Sequence, residues 1–154
     1  MMKKETPLIL IFIFICIGLI ALLIQLPIYV NDTALLQFEQ KVLGKLNFSE
    51  EVVFVESISA CCNSSGTGNH TDLYVAVLVK SAADCETLSE TVKNSFAEED
   101  TYCNIYLVEK NGSETLAMKI ADISFSKKIE QPTGYYILEF NKRAPLSLFD
   151  LRGC

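Results

Sequence analysis

The sequence predicts an α+β fold: an N-terminal transmembrane helix, then a small exported domain with a mostly antiparallel β-sheet in the order β-β-α-β-β-β and one or two packed helices. Three observations carry this. The apolar residues are split unevenly: 20 of the 23 residues from Leu8 to Val30 are apolar, whereas 55 of the 124 residues from Asn31 onward are. Two period-2 apolar runs flank a loop rich in Gly and Asn. A helical stripe then precedes further strand-like runs, one of them ending in Asn111-Gly112. The 44% apolar content beyond Val30 is ordinary for a globular domain and too high for a disordered chain. Only one stretch is long enough to cross a bilayer, so a multi-span channel or transporter is excluded. The formal charge of −6 argues against nucleic acid as a partner, since that needs a basic face.

The first element is the membrane span, residues 8–30. At about 1.5 Å per residue a helix of this length covers the hydrocarbon core. Lys3 and Lys4 precede it, and no basic residue follows before Lys41. The positive-inside rule keeps residues 1–7 in the cytoplasm and exports the rest, which makes the chain a single-pass signal-anchor protein of the cell membrane. A cleaved signal peptide fits less well, because the run is long and no A-x-A site follows it. Cys16 follows Ile13-Phe14-Ile15, too bulky for a lipoprotein signal, and reads as a small hydrophobe inside the span.

Residues 31–48 read as a juxtamembrane helix capped by Thr33, with Leu35, Leu36, Phe38, Val42, Leu43 and Leu46 on one side. This helix is either a stalk or a layer on the sheet. Residues 49–154 form the extracytoplasmic α+β domain, long enough for one core. Its first strand is Val52 to Ala60, with Val52, Phe54, Ile58 and Ala60 sharing a face. The second, Asp72 to Lys80, is apolar on both faces and therefore central. The loop between them makes the pair a hairpin. Ser81, with Asp84 three residues on, starts a helix that buries Cys85, Leu88, Val92 and Phe96. Tyr102 to Lys110, Glu114 to Ala121 and Gly134 to Phe140 are the remaining strands. The helix between the second and third strands allows those two to be parallel neighbours.

Five cysteines lie beyond the span: Cys61, Cys62, Cys85, Cys103 and Cys154. Cys85 sits one strand length from the vicinal pair, about 25 Å at the usual strand rise, too far for a disulfide. The helix then returns the chain, so Cys61 or Cys62 to Cys103 is the expected bridge, with Cys85 a packed free thiol. The functional alternative is a redox-active Cys61-Cys62 pair, but the surroundings are acidic and no C-x-x-C motif is present.

The other constellations are weak. Cys61, Cys62, His70 and Asp72 offer zinc-type donors at a spacing that matches no zinc pattern, so no metal and no cofactor is expected. His70 is the only histidine and has no nucleophile motif beside it. Gly66-Thr67-Gly68 lacks the context of a phosphate loop. Glu50-Glu51 and Glu98-Glu99-Asp100 read as solvated charge at element ends. No catalytic set is present, and the chain is read as not an enzyme. Asn31, Asn47, Asn63, Asn69 and Asn111 each begin an N-x-[ST] triplet, which reads as turn composition before it reads as glycosylation.

Ser57-Ile58-Ser59-Ala60, the Gly/Asn loop, Tyr74-Val75-Ala76-Val77-Leu78-Val79-Lys80-Ser81 and Cys85-Glu86-Thr87-Leu88 together resemble a segment of membrane-anchored proteins of clostridial-type Gram-positive bacteria. The resemblance covers about 30 residues and implies a bacterial host but no activity. The chain departs from it at Cys61-Cys62-Asn63-Ser64-Ser65, where further glycines would stand.

The expected function is therefore a non-catalytic binding or interaction domain on a membrane anchor, with Gly66, Gly68, Asn69 and His70 as a candidate binding loop and a protein as the candidate partner. The alternative is a thiol-based redox or metal-sensing domain, which needs Cys61, Cys62 and Cys103, or His70, to converge.

Overall fold

A computed structural model describes residues 6–46, 51–63, 70–97, 101–108, 117–118, 123–127, 129, 131, 133–147 and 150. The elements are α1 (Thr6–Lys45), β1 (Val52–Cys62), β2 (Asp72–Ser81), α2 (Cys85–Phe96), β3 (Tyr102–Leu107), β4 (Ala117–Met118), β5 (Ile123–Ser124) and β6 (Tyr135–Arg143). The architecture is α+β, as the sequence predicts.

The apolar span and the expected juxtamembrane helix are one helix. α1 runs 40 residues, about 60 Å at 1.5 Å per residue. Thr33 does not cap it; its Oγ1 donates to the Tyr29 carbonyl inside the helix, at 2.8 Å. From Leu8 to Leu26 the large apolar side chains are exposed on every side, as a lipid-facing helix requires. From Asn31 onward a single stripe turns inward: Asn31, Phe38, Val42 and Leu46 are buried. The second half of α1 is a layer on the sheet, not a stalk.

The main sheet has the order β1-β2-β6-β3, with every neighbouring pair antiparallel. β2 is central, as its two apolar faces predict. Leu73, Val75, Val77 and Val79 face α1 and α2, where they meet Phe38, Val42, Leu88, Val92 and Phe96. Tyr74, Ala76 and Leu78 face the other way, where Phe125 and Val108 cover them. The sheet is thus the middle of three layers. Burying a side chain such as Val77 or Leu138 contributes about 1.5–3 kcal/mol, which is why an uninterrupted apolar run selects this middle position.

Four expectations need correction. The face assigned to β1 changes partway, because the register shifts between Phe54 and Glu56. Val52 pairs with Ser81 on the helix side, whereas Ile58 and Ala60 pack on the opposite side. A bulge adds one residue and so inverts the alternation beyond it. The expected fourth strand, Glu114 to Ala121, is represented among the described residues only by β4, which pairs with β5 in a separate two-stranded sheet and not with β3. Asn111-Gly112 lies outside the described residues. β6 reaches Arg143 and lies between β2 and β3, so those two are parallel but not adjacent. Finally, the cap of α2 is Asp84, whose Oδ1 accepts from the Thr87 amide at 2.8 Å, while Ser81 Oγ accepts from Ala83 N. The stripe Leu88, Val92, Phe96 is buried as expected, and Phe96 meets Phe140 at 4.8 Å between ring centres.

Candidate functional site

The order of the strands separates the predicted cysteine site. Cys61 pairs with Leu73 on β2, Leu73 with Lys142 on β6, and Cys103 with Phe140 on β6. Cys103 therefore lies three strand spacings from Cys61, about 14 Å at 4.8 Å each, twice the reach of a disulfide. Cys61, Cys85 and Cys103 are free thiols, so the expected bridge to Cys103 is not formed. Cys62 is disulfide-bonded, and its partner is none of these three. The error has one source: the strand that intervenes comes from the far end of the sequence.

The vicinal pair does not share a face. Successive strand residues point to opposite faces; Cys61 packs on the helix side and Cys62 on the other. The Cys61 thiol donates to Asp150 Oδ2 at 3.8 Å. Burial pushes the Cys103 thiol up to about 11, opposed only weakly by Lys93, so it is a poor thiolate at neutral pH. Among the described residues no three His, Cys, Asp or Glu side chains converge as metal ligands would. Gly66, Gly68 and Asn69 lie outside the described residues. His70 borders them, with Nδ1 buried and without a hydrogen-bond partner among the described residues.

At this end of the sheet the sequence reading missed a polar joint. Asn31 is fully buried on α1. Its Nδ2 donates to Asp150 Oδ2 at 2.9 Å and to the Leu146 carbonyl at 3.4 Å, and its Oδ1 accepts from Leu146 N at 3.0 Å. Thr71 Oγ1 donates to the Asp150 carbonyl at 3.0 Å, and Thr71 N donates to Ser147 O at 3.1 Å. The segment after β6 is thereby tied both to β2 and to α1. The signal was present: Asn31 lies on the same helical stripe as Phe38 and Val42, and a polar residue on a core stripe calls for a buried partner. Its full burial also removes Asn31 as a glycosylation acceptor.

At the other end of the sheet, farthest from the apolar span, lies a cleft of about 600 Å³. Its lining includes Glu51, Lys80, Ser81, Asp84, Thr133 and Tyr136. The floor is tightly built. Ser81 N donates to Gly134 O at 2.7 Å, and the Tyr136 hydroxyl donates to Ala83 O at 2.9 Å. Gly134 has φ +78°, and a Cβ there would stand 2.8 Å from the Ser81 carbonyl oxygen. Asp84 is held below the usual carboxylate range by the Thr87 backbone N–H. The lining carries both signs of charge, Glu51 and Asp84 against Lys80.

A third polar feature sits inside the sheet. Glu139 on β6 is buried, flanked by Ala76 and Asn104. The Tyr106 hydroxyl shares a hydrogen bond with it; burial, and then the carboxylate's charge, hold that phenol above its ordinary range. This couples β3 to β6 and is a structural pairing. No protein-family model, no curated protein and no solved structure matches the chain.

Proposed function

We propose that this chain is a single-pass membrane protein with its N-terminus in the cytoplasm, displaying a non-catalytic binding domain on the extracytoplasmic side. One observation carries the reading: α1 passes without a break from an apolar, fully exposed span into the core of the domain. A domain that only needed tethering would be served by any flexible linker. Here fifteen residues of helix, from Asn31 to Lys45, hold the sheet upright along about 21 Å at 1.5 Å per residue. The cleft at the far end is thereby kept at a fixed height and orientation above the lipid. Lys3 and Lys4 before the span support the orientation. The thiol-based alternative has little support, since Cys61 and Cys62 face opposite ways and Cys103 is three strands away.

The test uses the full chain in its own membrane, with a photo-crosslinking residue at Thr133 in the cleft, at Tyr102 on β3, or at Glu90 on the outer face of α2 as a control. The proposal expects discrete adducts from Thr133 or Tyr102 and none from Glu90. Adducts from no position, or equally from all three, refute it. A membrane-impermeant maleimide applied to intact cells must label a cysteine placed at Thr133; protection until lysis refutes the orientation.

A further inference from the structure

The two edges of the main sheet are built differently. β1 is a guarded edge. It carries a bulge between Phe54 and Glu56, its Ser57 and Ser59 hydroxyls donate to Glu39 on α1 at 2.8 and 2.9 Å, and Glu56 accepts from the Ser126 and Lys127 amides, both at 3.0 Å. Bulges and charges of this sort are how natural sheets prevent edge-to-edge pairing. β3, Tyr-Cys-Asn-Ile-Tyr-Leu, has none of them: no charge, no proline and no register shift.

The direction of its free backbone groups follows from one bond. Val108 N donates to Tyr135 O at 3.0 Å. Along an antiparallel strand the groups that bond across alternate with those that point away. Tyr102, Asn104 and Tyr106 therefore bond to β6, and Cys103, Ile105 and Leu107 present their N–H and C=O groups outward. No strand pairs with them among the described residues. The side chains beside them include Tyr102, 70% exposed, and Leu107, 50% exposed.

From this, and resting on the reading of a display domain, we infer that the edge of β3 receives an extended, basic segment of another protein, which joins the sheet as a further strand. The main-chain groups of Cys103, Ile105 and Leu107 supply the register, and Tyr102 and Leu107 supply apolar contact. The sign of the segment's charge follows from the domain's own: from Asn31 onward it carries 11 basic and 18 acidic side chains. A second copy of this chain does not fit. Antiparallel pairing of β3 with itself places the two-fold axis normal to the sheet. The strands run alongside α1, with Asn31 near Leu146, Glu39 against Ser59 and Ser57, and Leu46 beside Val52, so that axis would send the two anchors in opposite directions. A parallel pair is not symmetric, because a residue that bonds across a parallel ladder faces one that does not.

The experiment places the full chain in nanodiscs of zwitterionic lipid, so that lipid does not attract a basic probe. The probe is a fluorescein-labelled peptide of alternating valine and threonine between terminal lysines, read by anisotropy. Saturable binding is expected, weakened about tenfold or more by Leu107→Pro and by Tyr102→Lys, and unchanged by Phe54→Lys on β1. Proline at Leu107 removes an outward N–H and no bond to β6; should that variant misfold, Tyr102→Lys still decides. Absence of saturable binding, binding indifferent to both β3 variants, or equal weakening by Phe54→Lys overturns the inference. So does protection of the Ile105 and Leu107 amides from exchange without peptide, or wild-type dimers cross-linked through a cysteine at position 102. Loss of peptide binding with Thr133 adducts retained removes this edge and leaves the display domain standing.

Discussion

Replacing Asn31 separates a rigid mount from a loose tether. Asn31→Ala deletes a donor to the Asp150 carboxylate and leaves Leu146 N without the acceptor it has at 3.0 Å. A hydrogen bond to a charged group contributes about 1.5–3 kcal/mol, and an orphaned buried N–H costs about 1 kcal/mol or more. The variant should lose about 3 kcal/mol, a large share of what a small domain holds. Asn31→Asp keeps the shape and reverses the chemistry, placing two carboxyl groups at the 2.9 Å separation now occupied by an amide–carboxylate bond. Like charges this close raise the affinity of the folded pair for a proton. A proton held more tightly in the folded state adds stability as pH falls, so the deficit of Asn31→Asp should shrink from pH 8 to pH 5. The deficit of Asn31→Ala should not follow that course. The assay is urea unfolding of the full chain in nanodiscs, followed by near-ultraviolet circular dichroism of the tyrosines. An Asn31→Ala loss under about 0.5 kcal/mol would refute the argument, as would an Asn31→Asp deficit independent of pH.

Three further outcomes are expected. The Glu56 carboxyl is held below its usual range, chiefly by the Ser126 backbone N–H and also by that of Lys127. A lowered folded value means that its contribution is present above about pH 4.5 and is lost as pH falls through the folded value; Glu56→Gln should flatten that part of the acid-unfolding curve, and an unchanged curve refutes the role. Gly134→Ala should destabilise by about 1–3 kcal/mol, because its Cβ meets the Ser81 carbonyl at 2.8 Å and φ is +78°; thermal unfolding within a degree of wild type would contradict this. Peptide mapping under non-reducing conditions should link Cys62 to Cys154, the one cysteine left once the four free thiols are set aside; Asp150, four residues earlier, is already buried against Thr71 and Cys61. Recovery of Cys62 joined to Cys103 would overturn the strand order.

The sequence made the local structure readable and left the long-range pairings obscure. The two-sided apolar run of β2 required a central strand, and the spacing of Leu88, Val92 and Phe96 required an amphipathic helix. Both are consequences of periodicity within about ten residues. The insertion of β6 between β2 and β3 is a pairing across more than fifty positions, and no local pattern encodes it. That one pairing displaced Cys103 from the expected bridge. The bulge in β1 was hidden for a different reason: the single extra residue looks like ordinary alternation until a partner strand sets the register. The joint at Asn31 was readable in principle, as a polar residue on an apolar stripe. The composition changes at Val30, however, and does not reveal that one helix continues through that point.

Removing that boundary changes what the anchor can transmit. A flexible stalk would let the domain sample many orientations, and a contact at its far end would leave the membrane segment undisturbed. One helix packed into the core by Phe38, Val42 and Leu46, and pinned by Asn31, joins the domain directly to the span, with Pro27 the interior position whose ring removes a helical hydrogen bond. Any partner held at the distal cleft or along β3 then constrains the rotation and tilt of the span. On the proposal that β3 receives a further strand, Asn31→Ala should therefore weaken capture of that strand by the full-length chain. Capture unaffected by loosening the joint would mean that the continuous helix serves stability alone.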